Sequence, residues 1–81
     1  MFIKTDQGVL DAADIGLITA DDNMVLFHRK NRPAGTTPYS AKDVLRLQSN
    51  TPGSFPDGML GFILCADPSE ATSRRDALMR G

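Results

Sequence analysis

The chain has 81 residues, 41% hydrophobic and 23% charged, with nine Lys/Arg, ten Asp/Glu and one histidine, for a formal net charge of −1. So short a chain cannot divide its apolar groups between two cores, so residues 1–81 are expected to form a single domain of modest stability, about 5–8 kcal/mol. No apolar run approaches the roughly 20 residues that span a bilayer and no signal-peptide pattern opens the chain, while Cys65, the single cysteine, excludes an internal disulfide; the expectation is a cytoplasmic protein without a membrane partner.

In chain order, "MFIKT" predicts a short strand and "TDQG" a turn with Gly8 free to take positive φ. "VLDAADIGLIT" resumes apolar spacing, with a bend or single helical turn over Asp11 to Asp14 between two strand pieces. "ADDN" is the next turn. "MVLFHRK" is the clearest strand of the first half: its apolar residues run unbroken from Met24 to Phe27, and it becomes charged at His28. Residues 1–30 therefore read as three or four antiparallel strands in a meander.

"NRPAGTTPYS" is a loop by composition. In "SAKDVLRLQSN" Ser40 caps a helix, with Asp43 three residues on as a capping-box partner. Ala41, Val44, Leu45 and Gln48 share a face, and the helix is predicted to pack through Val44 and Leu45 and to end near Asn50. "TPGSFPDG" is a second loop. "MLGFILCA", apolar on both faces, predicts a central strand. "DPSEATSRRDALMRG" then carries an N-cap at Asp67, proline at the first helical position and Glu70 at the third. Its inward stripe reads Ala71, Arg75, Leu78 and Met79. The expected fold is α+β, a small mainly antiparallel sheet of N-terminal meander plus a later central strand with two short helices, in the order β-β-(β)-β-α-β-α and with both helices on one face.

The near-neutral total hides a segregation of charge. Residues 1–27 carry Lys4 against Asp6, Asp11, Asp14, Asp21 and Asp22, a net of −4. Residues 28–47 carry Arg29, Lys30, Arg32, Lys42 and Arg46 against Asp43, a net of +4. Nine of the ten acids are aspartate, the residue turns and helix caps prefer, which points to local structural work for many of them.

Candidate chemistries find little support. One histidine and one cysteine, 37 positions apart, do not make a transition-metal ligand set, and "DAAD" and "DD" lack the donor pattern of a calcium loop. Cys65 precedes a helix N-cap, where dipole and amides can activate a thiol, but it ends the most apolar strand, the place of a small buried hydrophobe. "PAGTTPYS" and "TPGSFPDG" are not phosphate loops, and no nucleophile elbow frames Ser, His and Asp. Neither catalytic residues nor a cofactor or metal is expected, and the chain is read as a non-enzyme.

Binding surfaces remain. The expected function is a small protein-binding module acting stoichiometrically on a protein partner, as an inhibitor or regulator; one concrete form is a phage or mobile-element inhibitor of a host nucleic-acid-binding complex. Its candidate contacts are Arg29, Lys30, Arg32, Tyr39 and Phe55 in and around the two loops, with Asp21 and Asp22 in an acidic rim formed where alternate turns of the meander emerge. The alternative is a nucleic-acid-binding accessory protein that uses the basic 28–46 segment. A sheet this small also offers a strand edge through which copies of the chain could pair.

Overall fold

Five consecutive residues, Met24 to His28, are fully buried, and the fold is built around them. They belong to β4 (Met24–Arg29), the middle of a three-stranded antiparallel sheet in the order β3-β4-β5, with β3 spanning Ile15–Asp21 and β5 Met59–Leu64. A separate antiparallel hairpin of β1 (Phe2–Thr5) and β2 (Gly8–Asp11) precedes them, joined to β3 by a 3-10 turn over Ala12–Asp14. Helix α1 (Ala41–Asn50) connects β4 to β5, and α2 (Pro68–Arg80) follows β5. The computed structural model describes residues 1–31 and 39–80.

The α+β class and the element order are those the sequence predicts, down to the helical turn between β2 and β3. Within that order two placements differ. The centre of the sheet belongs to β4, with β5 alongside it. The helices lie on opposite faces, not on one. Both follow from the unbroken apolar run. Alternate residues of a strand face opposite sides, so a strand apolar throughout needs a layer on each. Val25 and Phe27, with Ile63 and Cys65, pack against Ala71 and Leu78 of α2 and Ile3 of the hairpin. Met24 and Leu26, with Met59 and Phe62, pack against Ala41 and Val44 of α1 and against Tyr39 and Phe55.

The helix signals resolve into specific hydrogen bonds. Ser40 accepts from the Asp43 amide at 3.2 Å and Asp43 accepts from the Ser40 amide at 3.3 Å, completing the capping box. On α1 the inward residues are Ala41 and Val44; Leu45, expected to face the sheet, is 47% exposed, because the packed stripe continues through Gln48 on the far side of Val44. Gln48 holds the following loop, donating to the Ser54 carbonyl and accepting from the Gly53 amide. At α2, Asp67 accepts from the Glu70 amide at 2.8 Å, while Glu70 reaches back past the cap to the Ala66 amide at 2.7 Å. Met79, expected on the inward stripe, instead faces outward.

The hairpin leans against β5 and covers its outer edge with side chains in place of a strand. Asp6 accepts from the Leu64 amide and Gln7 from the Phe62 amide, both at 2.9 Å. An unpaired edge invites pairing with another chain, and these two oxygens stand where a neighbouring strand's carbonyls would stand. At the start of β3 a register shift brings Gly16 so near β4 that a Cβ there would lie 2.7 Å from the Lys30 Cα, a contact only glycine escapes.

Candidate binding surface

The residues expected to form a partner-binding patch are distributed over different parts of the molecule. Arg29 and Lys30, both exposed, leave the sheet at the end of β4. Arg29 pairs with Asp57 at 3.1 Å, and because both side chains are well exposed the pair contributes little to stability. Arg32 and most of the first loop fall outside the described residues. Tyr39 and Phe55 are half-buried against the α1-side core, and the Phe55 ring meets that of Phe62 edge to face at 6.1 Å. These aromatics are largely committed to packing.

Asp21, the last residue of β3, and Asp22, in the β3–β4 turn, sit at the opposite end of β4. Asp22 takes a left-handed φ of 51°, and Asp21 accepts from the Ala41 amide at 2.8 Å, fixing the start of α1. The register rows Asp21↔Met24 and Met24↔Leu64 carry this end across to Leu64, where Asp6 is bound. Asp6, Asp21 and Asp22 thus share one end, as the alternation of turns predicts. Asp14 lies at the other, its carbonyl accepting from the Lys30 amide at 3.2 Å. Two of the three that share an end are occupied with structure, Asp6 and Asp21 each accepting a backbone amide, and so do Asp11, Asp43, Asp67 and Glu70 elsewhere in the chain. The two hydrogen bonds from Ser40 hold the Asp43 carboxyl below its ordinary range.

His28 corrects the reading of the strand exit. It is fully buried as the fifth residue of the β4 run, with Nε2 3.1 Å from the Thr19 hydroxyl on β3, and so is no part of a cationic loop. Thr19 lies nine positions earlier, so the basic neighbours Arg29 and Lys30 dominate the local sequence signal. Cys65 is buried, and desolvation first, then the Glu70 carboxylate, push its thiol pKa up, opposite to what an activated nucleophile needs. Among the described residues no group of three or more His, Cys, Asp or Glu is placed to hold a metal ion, and no helix is long and apolar enough to cross a membrane.

The surface that sequence reasoning missed lies on the hairpin and the end of α2. Phe2 is 73% exposed and Val9 64%, diagonal neighbours on the outward face of the hairpin. Met1 and Met79, also largely exposed, border a trough between the hairpin, β3 and α2. Its two parts, of about 280 and 350 Å³, share Met1, Ile3 and Leu78. The signal was in the sequence: "FI" and "VL" place two large apolar residues side by side in each four-residue strand, and the hairpin has a core on one face only. In comparison with known proteins no family model matches the chain, and neither a curated protein nor a solved structure is significantly similar to it.

Proposed function

We propose that this protein is a non-enzymatic module that binds a protein partner stoichiometrically, as an inhibitor or regulator, in a reducing cytoplasmic setting suited to its free thiol. The observation that carries the reading is the grouping of Met1, Phe2 and Met79 as exposed large apolar residues along one trough, with Val9 exposed beside Phe2 on the hairpin. Single exposed apolar residues are normal on any surface, whereas a contiguous set beside a groove is the mark of an interaction site. Charged groups at both ends of the sheet, Lys30 at one, beside the exposed Arg29–Asp57 pair, and Asp22 at the other, steer the encounter. The contact surface thereby moves from the two loops to the hairpin and α2.

The test is capture from a lysate on immobilised wild-type protein, beside a Phe2→Ser/Met79→Ser variant that melts at the same temperature. A partner held by the wild type and lost by the variant supports the reading. Retention indifferent to the substitutions places the interface elsewhere, and no retained protein at all removes it. Nucleic acid retained in its place, and released by Arg29→Ala/Lys30→Ala or by moderate salt, transfers the function to the alternative class.

A further inference from the structure

The trough is not uniform along its length. One part is walled by apolar residues and Gly16 alone, with Ile15, Ile18 and Met79 among them. The other is floored by Ile63 and carries a cation on each wall, Lys4 on β1 and Arg74 on α2. No carboxylate lines either part. Arg74 lies 3.6 Å from Glu70 one turn before it, both half-exposed, an i,i+4 pair worth a few tenths of a kcal/mol at most, ~0.3–0.5. That leaves most of its five donors for a second acceptor. Lys4 faces Val9 directly across the hairpin, so its nearest cross-strand neighbour supplies no counter-charge.

Resting on the protein-binding reading above, we propose that the trough takes a segment of the partner in which large apolar side chains adjoin acidic ones. The apolar side chains fill the part between the hairpin, β3 and the end of α2, and the carboxylates lie between Lys4 and Arg74. An apolar floor with cations on both walls and no acid disfavours a basic segment, which would leave like charges facing each other across a low-dielectric groove. It also sets polarity: the two halves of the trough differ in charge, so the segment can lie in one direction only.

The test uses a fluorescein-labelled peptide in which a Leu/Phe block is joined to a Glu block, with a counterpart carrying lysine in place of glutamate. Anisotropy is expected to show saturable binding of the acidic peptide and none of the basic one at equal concentration. Lys4→Glu/Arg74→Gln is expected to weaken binding by about tenfold or more, and Met79→Ser to weaken it too, without a change in melting temperature, since all three positions are exposed. Equal binding of both peptides, absence of binding to the acidic one, or indifference to the charge variant overturns the proposal. So does a concentration-dependent dimer in sedimentation that Met79→Ser abolishes, which would give the trough to a second copy of the chain. A lysate partner lost with Phe2→Ser/Met79→Ser but indifferent to Lys4→Glu/Arg74→Gln removes the acidic occupant and leaves the protein-binding function standing.

Discussion

β4 and the β1–β2 hairpin are composed alike, short strands rich in large apolar residues, and the fold treats them in opposite ways. Every residue of β4 from Met24 to His28 is fully buried, with α1 on one face and α2 on the other. The hairpin has one covered face: Ile3 and Thr5 are buried, while Phe2 and Val9 point to solvent. A buried apolar group contributes to folding through area removed from water, whereas an exposed one leaves that contribution to be realised on association. The same residue types thus serve stability in the middle of the sheet and recognition at its side.

Phenylalanine substitution puts the sharpest strain on that contrast. Phe27→Ala empties a fully buried site between β3, β5 and α2 and is expected to cost about 3–5 kcal/mol, a large share of the stability of a domain this size. Phe2→Ala, the same chemical change 73% exposed, is expected to stay within about 0.5 kcal/mol. Urea unfolding of both variants measures the difference. Equal losses would mean that the hairpin's outer face is packed and would remove the trough as a binding site.

The next effect lies where the two regions meet. Asp6 and Gln7 at the hairpin tip accept the outer amides of β5, so Asp6→Ala/Gln7→Ala leaves the Leu64 and Phe62 amides without protein partners. The expected cost is about 1–3 kcal/mol, and larger for the partly buried Gln7 contact than for the exposed Asp6 contact. Amide exchange at Phe62 and Leu64 is expected to accelerate well before global unfolding. The uncovered edge also becomes competent for intermolecular pairing, so light scattering on concentrating the double variant is a second readout. If exchange at these amides is unchanged, the hairpin contributes no edge protection and behaves as an independent flap.

How much of this was legible in the sequence follows the range of the interactions. The capping box at Ser40, the N-cap at Asp67, the helical turn at Ala12–Asp14 and the buried character of Met24–Phe27 depend on residues within a few positions of one another, and they stand where the sequence puts them. The placement of the helices on opposite faces was also implicit, since an unbroken apolar strand demands two covers and both Met24–Phe27 and Met59–Ala66 read that way, yet the helices were expected on one face. What local pattern could not supply were partners remote in the chain: Thr19 beside His28, Asp21 on the Ala41 amide, Gln7 on the Phe62 amide. Those contacts turned a histidine expected at the charged exit of its strand into a core residue, and Asp21 of the rim into the acceptor that fixes the start of α1. The packing of Phe55 and Tyr39 was out of reach for the same reason, because the cluster they pack against, Phe62 and Val44 included, arrives from other elements.

The smallest effect separates the cover on β4 from β4 itself. Asp43 accepts the Ser40 amide at the start of α1, and its carboxyl pKa is lowered by the hydrogen bonds from Ser40. A group whose pKa is lower folded than unfolded contributes stability that is complete above its unfolded value, about 4, and is lost as the pH falls through the lower, folded value. Asp43→Ala is therefore expected to lower the melting temperature slightly at neutral pH, with the gap to wild type closing in strongly acidic solution, where the wild-type carboxyl is protonated as well. The carboxylate is exposed, so the loss is expected to appear as faster amide exchange in the first turn of α1, leaving the β4 amides untouched. Faster exchange in β4 would instead mean that α1 and the sheet open as one unit, and that the cover on this face of β4 is as much part of the core as the strand beneath it.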